Sequence, residues 1–197
     1  MDQLDRAITL AVERHGHQRD KSGSKYILHP LRVMNAVYHL GEEFACVGVL
    51  HDVIEDTFLT REEGLRFLSM PYHQLNGIMD RYFNDRVVQG VAAVSRLGVH
   101  GAWTETYMEF IARAIQDPIG RYVKIADIVD NMDRLQTIID EDERYGMERR
   151  YRKALIYITS EFPGLKYMTR SVLLPARQPD SQSGKERAAL SPTTTDL

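Results

Sequence analysis

An imidazole and three carboxylates fall within residues 51–57, as His51, Asp52, Glu55 and Asp56, directly after the apolar run 45–50. Imidazole nitrogen and carboxylate oxygen together suit a divalent ion, and further carboxylates beside such an ion suit proton transfer. A metal site for phosphate chemistry takes its ligands from separate elements and leaves positions open for water and substrate. Two other places supply candidates. His29 ends a loop just before Pro30, so its ring can project from a helix start, and Asp127 lies within 122–135, YVKIADIVDNMDRL. Taken singly, each has an ordinary structural explanation. His29 could merely begin a helix, His51 could be a core histidine bonded to a backbone carbonyl, and Glu55 and Asp56 could be a helix-end acid pair. The row Lys124, Asp127, Asn131 and Arg134 could be the solvated face of an amphipathic helix. Their combination favours a site.

Helices must position these residues, because helical periodicity dominates the chain. Leu4, Ile8, Ala11 and Val12 form one stripe; a second helix opens at Pro30 and closes at Gly41, where helices favour proline and glycine. The polar loop 20–25 (DKSGSK) lies between them. A third helix is predicted over 42–54, and Thr60 with Glu63 reads as a capping box for a short fourth one. Further helices are predicted over 85–97, 104–116, 118–139 and 147–161. In the 118–139 helix Ile125, Val129, Met132, Gln136 and Ile139 form the apolar stripe opposite the polar row. No alternating strand competes, and 70–84 reads as loop with a possible helical turn, broken by Pro71 and Gly77. Residues 175–197, rich in Pro, Ser, Thr and charge, are expected to be a disordered tail behind a single domain at 1–174.

At 197 residues the chain is long enough for one domain with a substantial core. Its net charge of −3 provides no overall basic field, which disfavours a nucleic-acid partner. The lone cysteine, Cys46, rules out an intrachain disulfide and fits a reducing, cytoplasmic location. Charges at Asp2, Asp5, Arg6, Glu13 and Arg14 interrupt any signal-peptide core, and no segment approaches membrane-spanning length.

Three strings carry a resemblance: Gly23-Ser24-Lys25-Tyr26-Ile27-Leu28-His29-Pro30, then Val49-Leu50-His51-Asp52-Val53-Ile54-Glu55-Asp56-Thr57, then Val123-Lys124-Ile125-Ala126-Asp127 with Asn131. In order, spacing and flanking residues they resemble the hydrolase domain of RelA/SpoT-type alarmone enzymes, in the HD phosphohydrolase superfamily, over roughly residues 5–160. The small alarmone hydrolases of the metazoan SpoT-homologue kind are the nearest in type, since nothing resembles the synthetase domain of longer members. The resemblance implies an all-α HD-domain helical bundle. It implies one divalent ion, usually manganese, on His29, His51, Asp52 and Asp127, with Glu55 and Asp56 as the acid/base pair and Asn131 touching substrate. It also implies removal of the 3′-pyrophosphate from guanosine tetra- or pentaphosphate, the substrate being a small nucleotide.

Polyphosphate needs cations, and Arg19, Lys21, Lys25, Lys124 and Arg134 are the candidates, with Lys21 and Lys124 foremost and Ser22 as a further donor. Two departures from the family stand out. Aligning on Lys21-Ser22-Gly23 puts Asp20 where the family carries an arginine that stacks on guanine, with Arg19 displaced by one. The family's His-Asn-Met-Arg-Thr is replaced by Asp130-Asn131-Met132-Asp133-Arg134. Trp103 and Tyr107 could supply an aromatic wall or belong to the core. An acid cannot reproduce guanidinium stacking, so three readings stay open: an alarmone hydrolase with an adapted pocket, an HD hydrolase of a deoxynucleotide or NADPH, and a nucleotide-sensing module without turnover. The oligomeric state, a homo-oligomer included, stays open too.

Overall fold

Capping residues and apolar spacing together account for where the helices begin and which faces they bury. The computed structural model describes residues 2–58, 60–75, 78–98 and 104–169, with 71–75 and 78–81 described by their backbone. Trp103 and the tail expected at 175–197 lie outside the described residues. Helix α1 (Gln3–His15) starts on Asp2, whose carboxylate accepts from the Asp5 N–H at 2.8 Å. Its buried residues are Ala7, Leu10, Ala11 and His15, whereas Val12 is 46% exposed. The buried face is therefore turned towards Ala7 and Leu10 relative to the predicted stripe. Helix α2 (Leu28–Val37) carries Pro30 in its first turn, continues as a short 3-10 turn (Tyr38–Leu40) and stops at Gly41, at φ 132°.

The helix predicted over 42–54 is two helices. Helix α3 (Glu42–Leu50) ends before His51-Asp52, and α4 (Val53–Thr57) restarts after it. Helix α5 (Arg61–Leu68) is capped by Thr60, which accepts from the Glu63 N–H at 3.1 Å. A hairpin then overturns the loop reading of 70–84: β1 (Pro71–Leu75) pairs antiparallel with β2 (Ile78–Arg81). Asn76-Gly77 lies between the strands, the dipeptide that most favours a two-residue hairpin turn, and Pro71 stands at a strand's first position, where its missing N–H is tolerated.

Helix α6 (Asp85–Val94) is capped by Asn84, and α7 (Tyr107–Ala114) by a reciprocal capping box between Thr106 and Glu109. Helix α8 (Gly120–Asp133) ends short of the predicted 139, in a 3-10 turn (Leu135–Thr137). Its apolar stripe ends with it: Ile125 and Met132 are buried, while Gln136 is exposed and Ile139 is 95% exposed. Helix α9 (Glu141–Glu161) begins ahead of the predicted 147, because Asp140 accepts from the Glu143 N–H at 2.8 Å and Glu141, Asp142 and Glu143 favour the helix's positive end.

The described residues form an all-α bundle around two apolar clusters, with the hairpin as an addition. One gathers α1 to α6 around Leu50, Ile54, Phe83 and Val91; the other gathers α7 to α9 around Ile111, Ile128 and Leu155. Helix α8 joins them, giving Val123 and Ala126 to the first and Ile125 and Ile128 to the second. Gly48 lets α3 approach α2, since a Cβ there would lie 3.0 Å from Met34 Cα. Among the described residues no helix is long and apolar enough to cross a membrane.

Candidate metal centre

The close approach of α2 and α3 sets the start of one helix beside the end of the other, and this brings His29 and His51 together. Their rings meet edge to face with centroids 5.0 Å apart, and their Nε2 atoms are 3.2 Å apart. Both are almost wholly buried, at 2% and 1% exposure. From α8, Asp127 Oδ1 reaches within 3.2 Å of His29 Nε2 and 3.6 Å of His51 Nε2. Among the described residues, His29, His51 and Asp127 form a buried group whose ligand atoms lie within 4.8 Å of one another, and it could hold a metal ion. Asp52 falls outside that mutual-distance group. Its Oδ2 nonetheless lies 3.0 Å from His51 Nε2 and 3.6 Å from His29 Nε2, so it adjoins the same point.

The donor set fits a divalent cation. His51 Nδ1 is bonded to the Gly48 carbonyl at 2.8 Å and His29 Nδ1 to Asp130 Oδ2 at 2.7 Å, so in the neutral rings each Nδ1 is the protonated nitrogen. Each Nε2 then presents a lone pair to the other, among carboxylate oxygens. Lone pairs and anions so close repel unless a proton or a cation lies between them. Burial opposes charge on His51, but Asp52 and Asp127 outweigh it and hold its pKa well above the ordinary value. The carbonyl partner that would explain His51 as a plain core residue is present. It engages only one nitrogen and leaves the other for the site.

The carboxylates are held just as firmly. Asp127 takes the Lys124 ammonium at 2.8 Å and the Asn131 amide at 2.6 Å. Burial would raise its pKa, but Lys124 and the two histidines drive it well below the ordinary range. Lys124 is 6% exposed, with its ammonium 4.5 Å from the Phe110 ring centroid, so the predicted polar row of α8 begins as an inner row. Tyr26 donates to Asp52 Oδ2 at 2.5 Å. Glu55 accepts from the Arg96 N–H at 2.5 Å, and burial pushes its pKa up against the pull of Lys124. Asp56 reaches solvent at the rim, yet the atoms packed round it, then Asp52 and Glu55, push its pKa up to about 7.

On the loop side the expected substrate contacts are occupied by the protein itself. Lys21 forms an ion pair with Glu143 of α9. Ser22 donates to Asp20 Oδ1 at 2.6 Å and to Ser24 at 3.1 Å, shaping the turn. Arg19 and Lys25 form an isolated β-bridge across the loop. Arg134 donates to Asp20 Oδ2 at 2.8 Å and to Asp130 Oδ2 at 3.1 Å. Tyr107 is half-buried, with its ring near Tyr151 and beneath the Arg150 guanidinium at 4.8 Å. The structure thus brings together His29, His51, Asp52, Asp127, Lys124 and Asn131, with Tyr107 close enough for its phenol to feel the charges of Lys124 and Asp127, while Lys21 and Ser22 take partners elsewhere.

Three further residues belong to the site. Tyr26 lies inside the motif that ends in His29, and Asp130 adjoins Asn131, so both were within reach of the sequence strings. His15 carries no such signal. It is fully buried on α1, bonded to Gln18 through Nδ1 at 2.8 Å, with its ring centroid 5.2 Å from that of Tyr26.

No protein-family model matches the chain. Guanosine-3′,5′-bis(diphosphate) 3′-pyrophosphohydrolase of Aquifex aeolicus is 31% identical over 148 residues, 73% of this chain and 19% of that protein. The chain is a RelA/SpoT-type HD domain. A probable GTP pyrophosphokinase of Mycobacterium leprae is 32% identical over 143 residues, covering 71% of this chain and 17% of the relative. The domain therefore spans less than a fifth of the length of these curated relatives. A solved structure of a metazoan ortholog of SpoT that hydrolyzes ppGpp matches with a TM-score of 0.60 at 19% identity, over 87% of this chain and 96% of that one. That likeness shows the all-α fold.

Proposed function

We propose that this domain is a metal-dependent phosphohydrolase that releases pyrophosphate from the 3′ position of guanosine tetra- or pentaphosphate. The observation that carries the reading is the convergence of two Nε2 lone pairs with the Asp52 and Asp127 carboxylates on one buried point. His29, His51, Asp52 and Asp127 would hold the ion, with manganese the metal we favour. When bound, a divalent ion lowers the pKa of a water and polarises a phosphate oxygen.

The remaining work falls to the chain's own groups. Lys124 and Asn131 hold the Asp127 carboxylate in place, and Tyr26 does the same for Asp52. Asp56, with a pKa of about 7, can take up or give up a proton near neutrality and is suited to supply it to the departing ribose 3′ oxygen. Glu55, fixed by the Arg96 N–H, is suited to orient the attacking water. For a bound phosphate chain the cations we favour are Arg134 and Lys21, each of which must exchange an internal acid for substrate.

A second reading rests on Asp20. At the position where the family carries a guanine-stacking arginine, its carboxylate is spent on Ser22, Ser24 and Arg134, which supports a different base and a deoxynucleotide or NADPH as substrate. One experiment separates the readings. Protein incubated with manganese and, in turn, guanosine tetraphosphate, ordinary and deoxy nucleoside triphosphates and NADPH should release pyrophosphate from the first. Release of phosphate or of any longer phosphate chain only from another member of the panel moves the assignment to that nucleotide; binding without release from any makes the domain a sensor.

A further inference from the structure

Asp130 and Arg134 are not among the ligands, yet they connect the metal centre to the loop at 20–24. Asp130 is 13% exposed on its side chain and takes four donors: His29 Nδ1 at 2.7 Å, Arg32 Nε at 2.5 Å, Arg32 Nη2 at 3.1 Å and Arg134 Nε at 3.1 Å. A carboxylate on the far nitrogen of a ligating histidine fixes the ring's tautomer and its direction. Arg134, four residues on, caps the end of α8, and its planar fork is shared. Nε holds Asp130, while Nη1 holds Asp20 Oδ2 at 2.8 Å. The other Asp20 oxygen accepts from Ser22 N at 2.9 Å, Ser22 Oγ at 2.6 Å and Ser24 N at 3.0 Å, so the loop is folded around the same carboxylate that Arg134 grips. The unbroken series is therefore loop turn, Asp20, Arg134, Asp130, His29.

We propose that Arg134 is a positioning residue that couples the conformation of the 20–24 loop to the metal ligand His29 through Asp130, so that loop and metal bind interdependently. The assignment of the loop to the substrate side rests on the hydrolase reading above; the coupling to the metal does not. Rigid hydrogen-bonded series carry energy between sites when each member has a defined partner on both sides. Arg134 meets that condition with two acids of opposite roles. A lysine could hold one of them and could not hold both in the same geometry. In this arrangement the acid at position 20 has a structural reason: a basic residue there would face Arg134 and leave the turn without its acceptor.

The test uses the full chain and manganese alone, titrated by electron paramagnetic resonance without nucleotide, beside kcat and KM for guanosine tetraphosphate. Asp130→Asn should weaken manganese affinity by about 10- to 100-fold, the range for a carboxylate behind a metal-bound histidine. Arg134→Ala should weaken it by about threefold or more and also raise KM, with Arg134→Lys intermediate on metal affinity. Asp20→Asn, a loop change two side chains from His29, should lower metal affinity in the native chain and have no further effect in the Arg134→Ala background. Arg134→Ala with unaltered manganese affinity overturns the coupling, whatever its KM, and so does an Asp20→Asn effect that persists without Arg134. If no nucleotide is turned over but the ranking of metal affinities holds, the hydrolase reading fails and the coupling stands. Turnover with flat metal affinities fails the coupling alone, and a native chain that binds no manganese ends both.

Discussion

His29, His51 and Asp127 are buried and Asp52 and Asp130 largely covered, each held by two or more partners, whereas residues 21–25 of the loop are all exposed and fold on one another. The same residue types are used differently in the two regions. On the metal side Asp127 is fixed by Lys124 and Asn131, Asp52 by Tyr26, and each histidine by its Nδ1 partner. On the loop side Lys21 pairs with Glu143 at the surface, while Arg134, part-buried between Asp20 and Asp130, links the two regions. Buried polar groups in a low dielectric hold each other strongly, and losing one partner leaves another uncompensated. Exposed pairs are screened and exchange with little change in free energy. The contrast suits a rigid centre beside a surface lysine, Lys21, that exchanges its partner readily.

The largest effect should come from the metal side. Asp52→Asn or His51→Ala should abolish manganese binding and turnover together, as chelation should in the native chain until manganese is restored; manganese-dependent activity surviving in either variant would remove these residues from the ligand set. Asp56→Asn should lower kcat by about 10²- to 10⁴-fold while manganese affinity holds. A matching fall in affinity would make Asp56 a ligand and not a proton carrier.

Next comes the helix contact that sets the two histidines side by side. At Gly48 an added Cβ would meet Met34 Cα at 3.0 Å and a Val37 methyl at 3.1 Å. Gly48→Ala should therefore destabilise the fold by about 1–3 kcal/mol, read from the denaturant midpoint, and weaken manganese binding as α2 and α3 separate. Equal affinity at reduced stability would show that the ring geometry survives the shift.

On the loop side the changes should be small. Lys21→Ala breaks an exposed pair, so stability should stay within about 0.5 kcal/mol while KM rises at constant kcat. A fall in kcat would place Lys21 in the rigid region instead. Smallest of all, Cys46, fully buried and with its thiol pushed up to about 12 by burial and then by Glu42, should stay unreactive towards thiol reagents until the protein unfolds.

Much of this was legible from residue order. The cap Thr60 precedes its helix, Pro30 sits in the first turn of α2 and Gly41 ends its terminal turn, and the strings around His29, His51 and Asp127 marked the centre, because these signals are local and carried by residue type. The break after Leu50 was not legible, since apolar periodicity runs across it unchanged. Nor was the hairpin recovered from a search for helical spacing, although Asn76-Gly77 was there to be read.

By itself the sequence determined the chemistry on offer: imidazoles, carboxylates at fixed intervals, and a bundle of helices able to carry them. Only the tertiary structure decided which side chains meet. It turned the α8 polar row inward at Lys124 and Asp127, put Asp130 behind His29, and set Asp20 and Arg134 against each other. Those partners lie 101 and 114 residues apart. The physical reason is that local spacing places a side chain on a face, while its partner and its charge state depend on which face packs against it and how much water that packing removes.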